Sequence, residues 1–373
     1  MSDFIIVLVT IAQWVAWVLG GLGIVVTVLP ILRQTAWWIR ACDFPRLQIV
    51  AGLVLSLALT LALPHQPSFA YYFFAVSLAV ALFYQARRIW PYTPLHRKQV
   101  AQAVRAADDN DHHISLLVTN VLMYNRDASR CLGHIRNYQP DVVLAVETDD
   151  WWLSQLKGIE KTHPYTCHAP LPNTYGMLVF SRLPLREPQI RYILDKDIPS
   201  FHGCVVLPNG VAVNMHFLHP KPPAPQESKT SARRDAELLV VGKVIQRHHG
   251  PTIVAGDLND VAWSHTSELF RRLSRLLDPR IGRGLLPTFH ADHKVLRWPL
   301  DHVFHSSHFR LQHLERLTHI GSDHYPIYIR LSYEPSGWQE QEANLEKADA
   351  EDHQEAEAKI VEGVTEAAQR TEQ

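Results

Sequence analysis

A mixed α/β domain with much antiparallel sheet, set behind a membrane-embedded amino-terminal region, is the architecture this sequence predicts. Long charge-free apolar runs fall before Trp90, and short β-branched or aromatic runs separated by polar breaks follow after residue 113. A chain of 373 residues is long enough for both units. Charged residues are 20% of the whole, which argues against wholesale disorder.

Residues 5–32 contain no charge, over more than the roughly 20 residues needed to cross the hydrocarbon layer. The chain starts Met1, Ser2, Asp3 and offers no clear cleavage site, so this run reads as a retained span rather than a signal peptide. Two further apolar runs, 48–64 and 69–86, are joined by the turn His65, Gln66, Pro67, Ser68 and read as a helical hairpin across the bilayer. Trp37, Trp38, Tyr71, Tyr72, Trp90 and Tyr92 lie near the ends of the runs, where interfacial aromatics belong. Arg33, Arg40 and Arg46 sit between the first and second runs, and Arg87, Arg88, Arg97 and Lys98 follow the third. The positive-inside rule therefore places everything after residue 87 in the cytoplasm.

The expected domains are a three-span membrane region (1–95), a polar linker (96–112), a folded body (113–333) and an acidic tail (334–373). Twelve acidic and three basic side chains occur after Tyr333 against a net charge of −1 for the whole chain, so the preceding residues are mildly basic. The tail, poor in large apolar residues, reads as disordered or as a solvated, frayed helix with no chemistry. Cys42, Cys131, Cys167 and Cys204 share no metal-ligand spacing and read as structural thiols.

Within the body, strands are expected at 114–119, 141–146, 175–181, 204–207, 211–217, 252–256, 302–305 and 325–331. Pro208, Asn209 and Gly210 make a tight hairpin turn. Residues 128–139 and 230–248 have helical apolar spacing, the first opened by Asp127 as an N-cap and closed by Pro140.

Polar residues recur at the ends of these strands. Asn120 follows the first, Glu147 the second, His219 the fifth, and Asp257 with Asn259 the sixth. Asp301 precedes the seventh and Asp323 with His324 precedes the eighth. Singly, an Asp or Asn at a strand end is an ordinary turn or capping residue, and His216 on an alternating strand reads as a packed histidine. As a set they place oxygen ligands, a base and a proton donor on one rim, which suits a hard divalent cation beside a phosphate and hydrolysis of a phosphoester. A zinc site would need three nitrogen ligands together, and only His219 and His324 are placed for it.

The ordered set TNVLMYNRD, PDVVLAVE, LHPKPP, GDLN, LDHVF and SDHYP resembles the endonuclease/exonuclease/phosphatase superfamily over about residues 113–332, with GDLN and SDHYP the most specific pieces. The resemblance implies a four-layer α/β sandwich (DNase I-like) preceded by three transmembrane helices. It implies Mg2+, or Mn2+ in its place, held by Asn120 and Glu147 with support from Asp323. Asp257 would activate the water, Asn259 would bond the phosphate, His324 oriented by Asp301 would contact the phosphoryl oxygens, and His219 would assist the leaving group. Arg182 and either Arg233 or Arg234 are further candidates to pair with phosphate, against the alternative of ordinary surface arginines, to which the latter two incline more.

The three spans and LHPKPP resemble a bacterial membrane-bound branch, which implies an integral inner-membrane protein acting on phospholipid, nucleic acid or inositol phosphate. The leading reading is a membrane-anchored metal-dependent phosphoesterase. The alternatives are a membrane-bound endonuclease, or a catalytically silent binding module of the same fold with the tail engaging a basic partner.

Overall fold

The computed structural model describes residues 2–64, 66–106, 108–343 and 345–371; His65 of the expected interhelical turn lies outside them, as do Ala107, Asn344, Glu372 and Gln373 of the linker and tail. Helix α1 (Ser2–Val28) runs against α3 (Arg46–Ala62), which in turn packs on α4 (Phe69–Ile89); the short helix α2 (Trp37–Arg40) lies between the first two. Close approach is built in at Gly20, where a Cβ would overlap the Ser56 hydroxyl oxygen, which itself donates to the Ala16 carbonyl at 2.7 Å. Ile49, Leu53, Phe74 and Leu78 fill the bundle centre, while Ile11, Val18, Val54, Phe73, Val76 and Phe83 face outward, an apolar exterior suited to lipid.

Asp3–Leu32 and Phe69–Tyr92 are long and apolar enough to cross a membrane. The expected middle span differs. At 17 residues α3 reaches only about 26 Å, and it qualifies only if joined to Trp37–Asp43, from which it is bent by 71°. The charged run of Arg40, Asp43 and Arg46 sits at that bend, buried, with Arg46 bonded to Asp43 and donating to Gln85 at 2.8 Å.

The body is a four-layer sandwich. One sheet has the order β10-β11-β1-β2-β4-β3 and the other β5-β6-β7-β8-β9. The first comprises β1 (His113–Asn120), β2 (Val142–Val146), β3 (Tyr165–Ala169), β4 (Met177–Ser181), β10 (Phe309–Arg316) and β11 (Ile327–Tyr333). The second comprises β5 (Leu185–Arg191), β6 (Ser200–Val206), β7 (Ala212–Phe217), β8 (Thr252–Asp257) and β9 (Asp301–His305). Alternation along each strand divides the side chains between layers. Ile114, Leu116 and Val118 of β1 meet Val213, Met215 and Phe217 of β7 between the sheets. Leu117, Val143 and Phe180 turn outward to α5 (Ser129–Tyr138) and α6 (Asp150–Leu156). Val254 and Phe304 turn outward to α7 (Ala232–Gln246) and α8 (His265–Ser274). Each fully buried Leu, Val or Phe contributes about 1.5–3 kcal/mol, so this two-sided burial is the main support of the fold.

All eight expected strands are present. Three more, β3, β5 and β10, are outer strands with half-exposed patterns and little apolar alternation to announce them. Asp127 acts one position early: its carboxylate accepts from the Ser129 backbone N–H at 2.9 Å, while Ala128 is the residue that opens α5. The 208–210 hairpin turn forms, with Gly210 at φ 84°.

The linker and tail differ more from expectation. Residues 100–105 are stitched to the body, since Ala103 donates to the Leu311 carbonyl at 2.8 Å, Leu311 donates back to Ala101 at 2.9 Å, and Val100 is buried between the sheets. After the short helix α9 (Trp338–Glu342), the tail forms α10 (Ala350–Thr371), which lies along α7 so closely that a Cβ on Gly363 would overlap the Ala236 methyl. Its attachment is apolar through Ala356, fully buried in the α7–α8 layer with Ile360 beside it, and also ionic. Lys359 reaches buried Asp235 at 3.1 Å, Glu366 reaches Arg233 at 3.2 Å, and Asp352 grips Arg272 through two bonds of 2.7 and 2.8 Å. Arg233 and Arg234 are accordingly buried ion-pair members, not surface side chains.

Candidate active site

Strand direction gathers the expected residues. β1 and β2 are parallel, with Asn120 opposite Val146, so Asn120 and Glu147 emerge side by side. In the second sheet β8 and β9 are antiparallel, with Asp257 directly opposite Asp301. Packing the two sheets brings these strand ends to one rim. The Asn120 amide bridges the sheets, donating to Glu147 Oε1 at 2.7 Å and to Asp257 Oδ2 at 3.1 Å. Its Oδ1 accepts from the Leu122 N–H at 3.0 Å and keeps a second lone pair.

The backbone is shaped for this convergence. Gly256, at φ 142°, passes so close to the Leu218 carbonyl that no side chain would fit, and Glu147 and Asn259 occupy left-handed conformations at φ 58° and 51°.

His324 lies at the centre. Its Nδ1 meets Asp301 Oδ2 at 2.8 Å and its Nε2 is 3.5 Å from Asp257 Oδ2. Thr288 Oγ1 accepts from the Asp301 N–H at 3.2 Å, and the Phe289 ring covers the His324 ring at a centroid separation of 4.9 Å. His219 approaches from the other side, with Nε2 3.9 Å from Asp257 Oδ2 and Nδ1 buried without a hydrogen bond. Tyr175 packs against His219 and donates to Glu227 at 2.9 Å. Asn259 donates its backbone N–H to Asp257 Oδ1 at 2.9 Å, and its side-chain amide to the Pro220 carbonyl at 3.0 Å. Asp323 is half-buried nearby and acts electrostatically on both Glu147 and His324.

The electrostatics follow from burial. Burial alone would lower the His324 pKa, but the Asp301 and Asp257 carboxylates outweigh it and push it up to about 10. Burial raises Asp257 to about 7, the His324 charge opposing and the Asp301 charge reinforcing the shift. Burial also raises Glu147, against the Asn120 hydrogen bond. His219 is pushed down to about 3 by burial and then by the His324 charge, so its ring is neutral. Burial and then the Glu227 charge hold the Tyr175 phenol above its ordinary range.

Four carboxylates thus surround one imidazolium, and a buried Asp301 oxygen has no hydrogen-bond partner. That excess of negative oxygen fits a hard divalent cation. Asp257, Asp301 and His324 place their ligand atoms within 4.8 Å of one another, but both His324 nitrogens face carboxylates, which suits proton handling better than coordination. Glu147 and Asp323 carry the other carboxylate oxygens of this rim, beside the Asn120 Oδ1 lone pair.

One sequence expectation falls outside the cluster, and the histidine expected only to pack, His216, does so. Arg182 follows β4 at the end opposite Glu147, roughly 17 Å along the strand, where it donates to the Gln139 carbonyl at 3.0 Å. His216 turns away to pair with His202, Nδ1 to Nδ1 at 2.7 Å. The residues the sequence reading missed, Tyr175, Thr288 and Phe289, are ordinary in sequence; only the Asn-Thr-Tyr-Gly break before β4 marks one of them.

Among solved structures, the chain is similar to humanized D. rerio TDP2 (16% identity, 59% of this chain and 99% of that one, TM-score 0.48) and to the human Nocturnin catalytic domain (17%, 59% and 94%, 0.48). It is also similar to an endonuclease/exonuclease/phosphatase from Beutenbergia cavernae (17% identity, 60% of this chain and 72% of that one, TM-score 0.46). No curated protein matches the sequence. The model of the Endonuclease/Exonuclease/phosphatase family matches residues 117–324, more than half of the chain, from just before Asn120 to His324 itself. The chain belongs to the endonuclease/exonuclease/phosphatase family, whose members are divalent-metal-dependent phosphoester hydrolases.

Proposed function

We propose that this protein is a membrane-anchored phosphoesterase that hydrolyses its substrate with a water molecule activated at the Asp257 carboxylate. The observation that carries this reading is the meeting of Asp257, Asp301 and His324 with Asn120 and Glu147 at the seam between the two sheets. Asp257, with a pKa near neutrality, is suited to take a proton from water, and the Asn259 N–H holds its second oxygen in place. His324, charged and fixed by Asp301, offers an N–H to phosphoryl oxygens that gain charge as the P–O bond breaks. His219, neutral and beside Asp257, would hydrogen-bond the departing oxygen. Asn259 would bond the phosphate after its amide leaves Pro220.

Glu147, Asn120 and Asp323 would hold Mg2+ or Mn2+, which supplies positive charge to polarise the phosphate and acidify water. The apolar exteriors of α1 and α4 support anchorage in a bilayer, and Arg87, Arg88, Arg97 and Lys98 after α4 would put the body on the cytoplasmic face by the positive-inside rule. The test is hydrolysis of bis(p-nitrophenyl) phosphate and p-nitrophenyl phosphate by the full chain in uncharged detergent. Turnover that needs Mg2+ or Mn2+ and is lost on chelation is expected. Turnover of neither ester with either metal would remove the reading.

A further inference from the structure

The carboxy-terminal end of α4 leads into a cleft that the hydrolytic site does not use. Its cavity of about 280 Å3 is lined by Tyr92, Arg97, Lys98, Glu268, Arg271 and Glu346 among others. Tyr92 is the last residue of the apolar stretch Phe69–Tyr92, and exposed Trp90 lies beside it. The cleft therefore opens where that helix leaves the hydrocarbon layer, at headgroup depth.

The charges in this cleft are unevenly matched. Glu268 is engaged by Arg88 at 2.7 Å, and Arg88 also donates to the Trp263 carbonyl at 2.6 Å. Glu346 is exposed at the edge. Arg97, Lys98 and Arg271 have no hydrogen bond or ion pair from their side chains among the described residues, and the Arg271 Nε–H is buried without an acceptor. A buried guanidinium donor left unsatisfied is uncommon in a folded protein, because desolvating it without a partner costs free energy. The Arg271 charge also acts on the buried Asp278 carboxylate, which is itself gripped by Arg280. Three cations without an ion pair of their own, one carrying an orphan donor, thus surround the cavity and call for an anion with several oxygens, and guanidinium is well suited to phosphate.

We propose that this cleft binds the phosphate of an anionic phospholipid from the leaflet that α4 enters, with Arg271 as the principal contact and Arg97 and Lys98 beside it. The site is separate from the Asp257 cluster, and it rests on the membrane reading of α4, not on the catalytic reading. An occupant here would tie the body to the bilayer through α8, which carries Glu268 and Arg271, and through residues 96–99, whose Gln99 accepts from the Asp278 N–H at 2.9 Å.

Native mass spectrometry of the full chain in uncharged detergent, with chain-matched phosphatidylglycerol or phosphatidylcholine, tests this. The wild type should retain one phosphatidylglycerol under activation that strips phosphatidylcholine. Arg271→Gln should weaken retention at least about tenfold, and the exposed pair Arg97→Gln with Lys98→Gln by roughly threefold or more. Equal retention of the two lipids would overturn the proposal, as would undiminished phosphatidylglycerol binding by folded Arg271→Gln. If Arg271→Gln does not fold, the exposed pair decides by the same criterion. Inorganic phosphate at equal concentration should not displace the lipid; complete displacement would make the ligand free phosphate and sink the lipid assignment. Phosphoester hydrolysis by the same preparations should be unchanged in both variants, which separates this site's failure from failure of the catalytic reading.

Discussion

Asp257 and Asp260 are three residues apart, both buried, and belong to ionic clusters of opposite character. Asp260 faces Arg234 at 3.4 Å and accepts from Ser264. Arg234 also pairs with Asp235 and donates to the Asn259 carbonyl at 2.7 Å, while Asp235 receives Lys359 from the tail and the hydroxyls of Ser231 and Thr266. In this cluster each carboxylate has a cation beside it: burial raises Asp260 against the Arg234 charge, while at Asp235 burial is outweighed by Lys359 and Arg234, which hold it well below the usual carboxylate range. Around Asp257 that is not so, because Asp301, Glu147 and Asp323 outnumber the single His324 cation. One cluster holds the chain in place; the other keeps strain where a cation and a phosphate would relieve it.

This contrast separates loss of activity from loss of stability. The largest expected effect is on turnover: Asp257→Asn or His324→Ala should lower kcat by about a thousandfold or more, since a base and the donor beside it act as one unit. Asp257→Asn should at the same time leave the melting temperature unchanged or raise it, because it removes surplus buried negative charge. A melting temperature that falls together with activity would break the comparison.

Next in size is the structural cluster. Asp235→Ala strands Lys359 and leaves Arg234 with Asp260 alone, and should cost about 3–5 kcal/mol in thermal or denaturant unfolding, with Lys359→Met costing less. If Lys359→Met proves neutral in unfolding, the tail helix is not held as described.

The metal should also act on stability. In Mg2+ or Mn2+ the melting temperature should rise, more at pH 8 than at pH 6. With its folded pKa raised, Asp257 keeps a proton to about pH 7, and a cation drawn to the cluster must displace that proton when pH is low. Calorimetric titration at the two pH values checks the sign. The smallest effect belongs to Arg182→Ala, at the far end of β4, which should leave kcat/KM unchanged and shift stability by no more than about 0.5 kcal/mol.

The same contrast explains what was legible in the sequence. Strand ends carrying Asn120, Glu147, Asp257, Asp301 and His324 stand out because short apolar runs point straight at them, and β-strand direction does the rest. Outer strands such as β5, mostly exposed over Leu185–Arg191, lack that hydrophobic signature. The docked tail was hidden for a different reason. Beside a few small apolar contacts at Ala356 and Ile360, it is held by charges whose partners lie far away in the chain, Lys359 with Asp235 and Asp352 with Arg272, and a charged residue reads as solvated until its partner is known. Arg233 and Arg234 look like surface residues in the sequence on the same ground, since their partners Asp195 and Asp260 are distant in it. Arg182 follows β4 as Glu147 follows β2, but β4 runs antiparallel to β2, so it emerges at the wrong rim.

The central claim is that side chains distant in sequence gather around one cation at the seam of the two sheets. An anomalous difference map from manganese-soaked crystals of the full chain tests it most directly. The account predicts a peak about 2.1 Å from a Glu147 carboxylate oxygen and within reach of Asn120 Oδ1. Manganese bound only elsewhere, such as along the acidic α10, with nothing beside Glu147, would contradict it.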